Sequence, residues 1–280
     1  MHCRCAIKIL TCISLLFFSS AALAADGLDA LVAYRAVYDL QFDNASEKAA
    51  MTGLGGRMVY EFNGNKCEGY TTQVRSAVRF EVEGIASRLV DQQSTSFESA
   101  DGKEFHFASK NYIDEKLSEE TSGIARQNSK GIEVQPGKPA TDSRQLGHGV
   151  FPLHYTLQTL ENAKKGKAFA RLALYDGTDG ADKLVETVLV VGAAKKPVED
   201  SETRVMGERA GENVWPVTVS YFNDSENKDG LPVYRTSFLL YKNGITRDLF
   251  MDYGDFSMRG KLVKLEILDT ADKKNIVCPR

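Results

Sequence analysis

Apolar and polar side chains alternate along most of the chain. The clearest stretch is residues 72–83, where Val74, Val78 and Phe80 share one face and charged side chains occupy the other. This alternation is typical of a β-strand with one buried and one solvated face, which antiparallel sheets prefer. The same pattern predicts six further strands, at residues 34–42, 57–62, 215–222, 233–241, 245–253 and 263–267.

Turn signals such as Asp101-Gly102 and Asn243-Gly244 separate the alternating segments. The whole pattern predicts about a dozen strands or slightly more, and open twisted sheets of over about ten strands rarely stay flat. We therefore expect a mainly β protein in which one uninterrupted antiparallel meander curls into a barrel, a half-barrel or a spiral.

One segment follows a helical period instead. Residues 152–165 place Leu153, Leu157 and Leu160 on one face, begin with Pro152 and end in lysines followed by glycine. The apolar face of this helix needs a partner, and the concave side of a curled sheet would supply it. A second, short helix is predicted at residues 28–32, before the first strand.

The first 24 residues have the features of a secretory signal peptide. Arg4 and Lys8 are followed by an apolar run at residues 9–18 and by the cleavage motif Ala22-Leu23-Ala24. The apolar run is about ten residues long, whereas a transmembrane helix needs roughly 20. A lipid-modified Cys12 is disfavoured, because bulky residues precede it inside that run. The mature protein is therefore expected to be exported and to begin near residue 25.

Removal of the signal leaves two of the five cysteines, Cys67 and Cys278. Exported chains meet an oxidising compartment, so an even number of cysteines predicts a disulfide between these two. A redox-active or metal-binding pair would need a C-x-x-C motif or nearby histidines, which the sequence lacks. Residues 131–146, with two prolines, predict a linker between the early strands and the helix. The disulfide would span this linker, so we expect residues 25–280 to form a single domain.

Composition narrows the class of protein. Apolar residues make up 42% and charged residues 26% of the chain, which is ordinary for a globular fold. The formal net charge is −3 and no run of five basic residues occurs, so nucleic-acid binding is not expected. No second apolar stretch reaches membrane-spanning length, so the chain should not span a membrane once the signal is removed.

The sequence lacks the G-x-S-x-G, phosphate-loop and H-E-x-x-H motifs, so we expect neither an enzyme nor a cofactor. His148 and His154 flank the start of the helix and could meet around zinc, but no third ligand is evident. The acidic residues 176–182 could hold calcium, although a hairpin turn explains them better. The pairs Glu81/Glu83 and Glu119/Glu120 fit charged strand faces rather than an acid and a base. No metal site is predicted.

Aromatic residues, including the single Trp215, could line an apolar space between the curled sheet and the helix. Core packing explains any one of them more simply. Such a space is nevertheless the default place for a lipid or another apolar ligand. Which residues would bind it cannot be assigned from the sequence.

Several short segments, taken together and in order, resemble the EipB family of periplasmic cell-envelope integrity proteins. They are Tyr34-Arg35-Ala36-Val37-Tyr38, Cys67-Glu68-Gly69-Tyr70, Phe151-Pro152-Leu153-His154, Tyr175-Asp176-Gly177, Asn243-Gly244-Ile245 and Asp252-Tyr253-Gly254-Asp255-Phe256, with Cys278 near the end. The resemblance implies a β-spiral around a central helix, with the family's disulfide at Cys67 and Cys278.

The same resemblance carries functional expectations. It implies that the protein lies in the periplasm, that it has a non-enzymatic role in maintaining the envelope under stress, and that it is linked to a periplasmic tetratricopeptide-repeat protein. It also implies similarity to half-barrel lipoprotein carriers. Our leading expectation is therefore binding of a periplasmic protein partner. The alternative is a carrier or sensor that holds a lipid, a lipopeptide or another apolar ligand in the concave sheet.

Overall fold

The computed structural model describes residues 27–178, 183–222, 230–268 and 278, so the signal peptide predicted for residues 1–24 lies outside the described residues. Besides two short 3-10 helices, at Glu47–Ala49 and Gly207–Arg209, the described residues form fourteen strands and two complete α-helices. In chain order these are β1 Tyr34–Ala45, β2 Met51–Asn65, β3 Gly69–Val82, β4 Ile85–Glu98, β5 Glu104–Ile113, β6 Lys116–Asn128, β7 Gly131–Lys138, β8 Arg144–Gln145, α1 Pro152–Lys164, β9 Phe169–Leu174, β10 Val185–Val191, α2 Ser201–Met206, β11 Val214–Phe222, β12 Tyr234–Tyr241, β13 Thr246–Asp252 and β14 Phe256–Ile267.

All fourteen strands belong to one antiparallel sheet with β8 and β9 at its edges. Strands β1–β8 follow one another across one half, and β9–β14 do so across the other. The halves join where β1 pairs with β14, from Tyr34 opposite Ile267 to Ala45 opposite Phe256. The predicted mainly β fold is confirmed. The meander is not uninterrupted, however, because α1 separates its two halves in the chain.

The sheet curls so far that its edges approach each other without closing a barrel. The segment before α1 lies in the gap, where the Ile132 amide donates to the Gly147 carbonyl at 3.2 Å. On the other side the Val150 amide donates to the Ala173 carbonyl at 2.9 Å, and the Tyr175 amide donates to the Val150 carbonyl at 2.9 Å. The chain therefore crosses from one edge to the other before it enters the inside of the curl.

Helix α1 occupies the inside of the curl and confirms the helix predicted at residues 152–165. Leu153 packs in a core with strands β1–β3 and β11–β14, and Leu160 packs in a second core with β9–β12. Phe151, directly before the helix, packs in a third core with β5–β7. The helix is thus surrounded by both halves of the sheet, as its apolar face predicts.

Two segments differ from the sequence-based predictions. Residues 131–146 are not a linker, because most of them form β7 and β8, which extend the sheet beyond β6. Pro136 is tolerated there next to a shift in the strand register. Of the short helix predicted at residues 28–32, Leu28 is helical and residues 29–30 form a turn, with amide bonds from Ala30 to Gly27 and from Leu31 to Leu28; the residues before 27 lie outside the described part.

All seven strands predicted from alternation are present, and one of them deviates in detail. In β14, Val263 was expected to be buried but is 37% exposed, whereas Leu262 is buried. The register with β1 shifts here, so Leu262 lies opposite Tyr38. The amide of Leu262 donates to the carboxylate of Glu202, a residue of α2.

Helix α2 and its contacts were not predicted. Its capping residue Asp200 accepts a hydrogen bond from the Thr203 amide at 2.8 Å. The guanidinium of Arg247 is fully buried and donates to Asp200 at 2.9 Å and to Glu202 at 3.0 Å. Burial opposes the charge of Arg247, but hydrogen bonds to Asp200, Tyr241 and Glu202 raise its pKa. This network attaches α2 to β13 and β14.

In the described part of the chain, no helix is long and apolar enough to cross a membrane.

Candidate functional site

A cavity of about 240 Å3 lies between the concave face of the sheet and the start of α1. We call it the inner cavity. Its walls come from strands β1–β5, from the first turn of α1, from residues 176–178 after β9, and from the turn at Asn243 and Gly244. This is the place where the sequence predicted an enclosed apolar space.

One side of the inner cavity is aromatic. Tyr34 on β1 and Tyr60 and Phe62 on β2 line it as inward-facing neighbours. The ring centroid of Tyr34 lies 5.4 Å from that of Tyr60 and 6.5 Å from that of Phe62. Burial raises the pKa of Tyr34 and of Tyr60, so both phenols are neutral at physiological pH. This side can therefore contact an apolar chain without introducing a charge.

The opposite side carries hydroxyl groups. Two rows of inward-facing residues cross the strands from β2 to β5, and both become polar on the way. In the first row Phe62 is followed by Thr72, Ser96 and Phe107. In the second row Tyr60 is followed by Val74, Ser94 and Ser109. The inner cavity thus changes from aromatic on β1 and β2 to hydroxyl-bearing on β4, and on β5 Ser109 lies beside the rings of Phe105 and Phe107.

A carboxylate lies on the polar side. Asp176 lines the inner cavity, and its Oδ1 accepts hydrogen bonds from the Thr178 amide at 3.0 Å and from the Thr178 hydroxyl at 2.7 Å. The loop sits tightly on β5, because a Cβ at Gly177 would lie 2.5 Å from the Phe107 ring. Asp176 is the one charged residue among the described residues that line this space.

Glu98, at the end of β4, fixes the start of α1 against this wall. Its buried carboxylate accepts hydrogen bonds from the amides of Leu153 at 2.7 Å and His154 at 3.2 Å, and it bonds the His154 Nδ1 at 2.6 Å. Phe151 precedes the helix and offers no capping side chain, so Glu98 takes over that role from another element. Sequence reasoning did not identify Glu98.

His148 and His154, considered together for zinc, lie in different surroundings. His154 is engaged by Glu98, and His148 is exposed. His106 bonds Glu104 on β5. Among the described residues, no group of three or more histidine, cysteine, aspartate or glutamate side chains could hold a metal ion. The loop considered for calcium is described only in part, since residues 179–182 lie outside the described residues.

The other candidate residues have structural surroundings. Trp215 is half-buried against the core around Leu160 and does not line the inner cavity. Glu120 pairs with Lys138 at 2.8 Å, and the hydrogen bond from Lys138 lowers the pKa of Glu120. The remaining glutamates are exposed and lie on a strand or directly after one, as expected for the charged face of a sheet; they are Glu81, Glu83 and Glu119.

Cys67 and Cys278 are joined by a disulfide whose Cα atoms lie 5.2 Å apart. Cys67 lies in the turn between β2 and β3, and Cys278 lies beyond β14, so the bond connects the aromatic side of the sheet to the end of the chain. The pair predicted from the sequence is therefore the pair that the structure joins.

Comparison with known proteins gives a consistent result. A family model described as EipB-like matches residues 25–269. A Brucella abortus (strain 2308) protein named cell envelope integrity protein EipB is 48% identical over 257 residues, which cover 92% of this chain and 91% of that protein. A crystal structure of a beta-barrel-like protein of a domain of unknown function, also from Brucella abortus, superposes with a TM-score of 0.83 at 48% identity. That match covers 85% of this chain and 99% of the other.

Proposed function

Because this chain belongs to the EipB-like family, we propose that it supports the integrity of the cell envelope from the periplasm without catalysing a reaction. The relative that is 48% identical carries a name that describes this role and no reaction. The family match begins at residue 25, directly after the expected cleavage site, which supports export. Sequencing the amino terminus of protein from a periplasmic extract should give Ala25; an uncleaved Met1 would refute export by cleavage.

The inner cavity suggests how the protein acts: as a carrier or sensor of one apolar ligand. The observation that carries this proposal is the contrast between its two sides, with Tyr34, Tyr60 and Phe62 facing serines and threonines. Ligand sites of this kind are mostly apolar and contain a few polar groups that orient the ligand. A volume of about 240 Å3 leaves room for a bound molecule beside the packed core.

Native mass spectrometry of gently purified periplasmic protein tests this proposal. We expect a co-purifying amphiphile in the wild-type protein. Ser94→Phe places an aromatic ring in the inner cavity and should remove that ligand. Gln73→Phe, on the exposed face of the neighbouring strand β3, is the matched control and should keep it. Ligand-free wild-type protein that also binds no added amphiphile would refute the proposal.

A protein partner is the second candidate, and the sheet edge favours it. Phe169 on the edge strand β9 is 53% exposed, and Val190 directly opposite on β10 is 46% exposed. Exposed apolar residues on an edge strand favour pairing with another chain. The partner suggested by the resemblance is a periplasmic tetratricopeptide-repeat protein.

Cross-linking in intact envelopes tests the partner proposal. Phe169→Asp should abolish a cross-linked species that wild-type protein gives. Val198→Asp changes an exposed residue that is not part of a strand and should leave the species unchanged. Equal cross-linking by both variants would exclude this edge as the binding surface.

A further inference from the structure

The inner cavity also constrains the chemistry of what it can hold. Building on the proposed ligand-binding function, we infer that it selects a single-chain amphiphile with an uncharged, hydroxyl-bearing head group and that it discriminates against anionic head groups. Three features lead to this inference: the size of the space, the direction in which its polarity changes, and the sign of its charge.

The size argues for one chain. Pockets for drug-sized ligands measure about 300 to 1,000 Å3, and the inner cavity, at about 240 Å3, lies below that range. A phospholipid with two acyl chains would exceed it. A single alkyl chain, with part of its head group near the opening, fits this volume.

The change in polarity gives the ligand an orientation. Aromatic rings line the space on β1 and β2, and Phe105 and Phe107 add two rings on β5, whereas Ser94 and Ser96 on β4 and Ser109 on β5 form its hydroxyl-bearing part. An alkyl chain therefore lies toward Tyr60 and Phe62, and the head group lies toward the serines. This arrangement removes apolar surface from water while leaving the polar groups hydrogen-bonded.

The serine hydroxyls are available for that head group. Within the described residues, Ser94, Ser96 and Ser109 make no side-chain hydrogen bond with another part of the protein. Each hydroxyl can donate one hydrogen bond and accept two, so the three together match a head group that itself carries hydroxyls. A purely apolar ligand would leave these partly buried hydroxyl groups facing hydrocarbon.

The charge determines which head groups are rejected. Asp176 lies on the β5 side, where its loop contacts Phe107, the cross-strand neighbour of Ser96. No lysine, arginine or histidine is among the described residues that line the inner cavity. An anionic head group would therefore meet a carboxylate without a compensating cation, and like charges at close range repel more strongly away from bulk water.

Isothermal titration calorimetry with two probes that share a dodecyl-length chain tests the inference. The probes are 1-monododecanoyl glycerol, which is neutral and carries two hydroxyls, and dodecyl phosphate, which is anionic; both are used below their micellar concentrations. We expect the neutral probe to bind about tenfold or more tightly. Asp176→Asn, which retains the acceptor for Thr178, should strengthen dodecyl phosphate binding by about fivefold and leave the neutral probe unchanged.

Two further variants complete the design. Ser94→Ala combined with Ser109→Ala should weaken 1-monododecanoyl glycerol by about fivefold, through lost hydrogen bonds. Asp142→Asn changes an exposed aspartate away from the inner cavity and should alter neither affinity. Equal or tighter binding of dodecyl phosphate, or an unchanged ratio in Asp176→Asn, would overturn the selectivity while leaving ligand binding intact. Binding of neither probe would overturn both.

Discussion

Removing the carboxylate of Glu98 should detach the start of the central helix from the sheet. This side chain accepts hydrogen bonds from two backbone amides of the first helical turn and also bonds the His154 ring. Glu98→Ala leaves the buried Leu153 amide and the partly buried His154 donors without this acceptor. The neighbouring Leu153 is also buried, which limits how far water can replace the lost partner. The variant is therefore expected to lose stability.

The size of the loss follows from those contacts. Removing a helix-capping acceptor costs about 1 kcal/mol, and leaving a buried donor unpaired costs about 1 to 3 kcal/mol. We therefore expect Glu98→Ala to lower the free energy of unfolding by about 3 kcal/mol. At about 2 to 4 °C per kcal/mol, this corresponds to a fall in melting temperature of about 6 to 12 °C. Glu98→Gln keeps one acceptor oxygen and should lose roughly half as much.

Thermal unfolding followed by circular dichroism measures this loss, with urea unfolding as a second measurement. Glu133→Ala removes an exposed glutamate on β7 and is the matched control, with an expected shift below about 2 °C. Because Leu153 also lines the inner cavity, Glu98→Ala should weaken binding of 1-monododecanoyl glycerol as well. Equal melting temperatures for Glu98→Ala and Glu133→Ala would refute the reasoning.

Three further predictions concern stability elsewhere in the molecule. Replacing both Cys67 and Cys278 by serine removes a cross-link between positions 211 residues apart, so the free energy of unfolding should fall by up to about 5 kcal/mol; an unmoved urea midpoint would contradict this. Arg247→Met leaves the buried carboxylate of Glu202 without a cation and should lower the free energy of unfolding by about 3 to 5 kcal/mol in the same assay. A loss below about 1 kcal/mol would show that Glu202 needs no cation there. The hydrogen bond from Arg75 holds the pKa of Asp91 below its usual value, so the stability it contributes is present above about pH 4 and is lost as the pH falls through the lower folded pKa. Asp91→Asn should accordingly lower the melting temperature at pH 7 but not below that folded pKa, and an equal offset at both pH values would count against the ion pair.

The strand faces could be predicted because a period of two is a local property. Tyr34, Tyr38 and Leu40 point inward simply because every second residue of a strand shares a face. The central helix could be predicted for the same reason, since Pro152 and the spacing of its leucines are local signals. These predictions needed no knowledge of which strands are neighbours.

Strand β4 could not be predicted in this way. Its inward-facing residues near the helix are Ser94, Ser96 and Glu98, so alternation between apolar and polar positions is missing there. Sequences tend to depart from local rules at functional or strained positions. In β4 the missing apolar face coincides with the polar wall of the inner cavity and with the anchor of the helix. The missing apolar face of β4 was therefore the one feature of the sequence that could have pointed to a role for Glu98.

The pairing of strands that are distant in the chain was the second feature that the sequence could not predict. Turn signals identify sequential neighbours, but nothing local indicates that β1 pairs with β14. The two cysteines came nearest to this information. Cys67 follows β2 and Cys278 follows β14, so their predicted bond already required the early strands and the end of the chain to lie close together.

The pairing of β1 with β14 also explains why the inner cavity has two different sides. It places the first and last strands in the middle of the sheet, so the edges β8 and β9 must be connected through the inside of the curl by α1. The central strands β1 and β2 contribute aromatic side chains, whereas the side near the approaching edges contributes the serines, the rings of Phe105 and Phe107 and the loop that carries Asp176. Glu98 lies beside this side, at the end of β4. The proposed preference for a neutral head group therefore depends on strand order as much as on the lining residues.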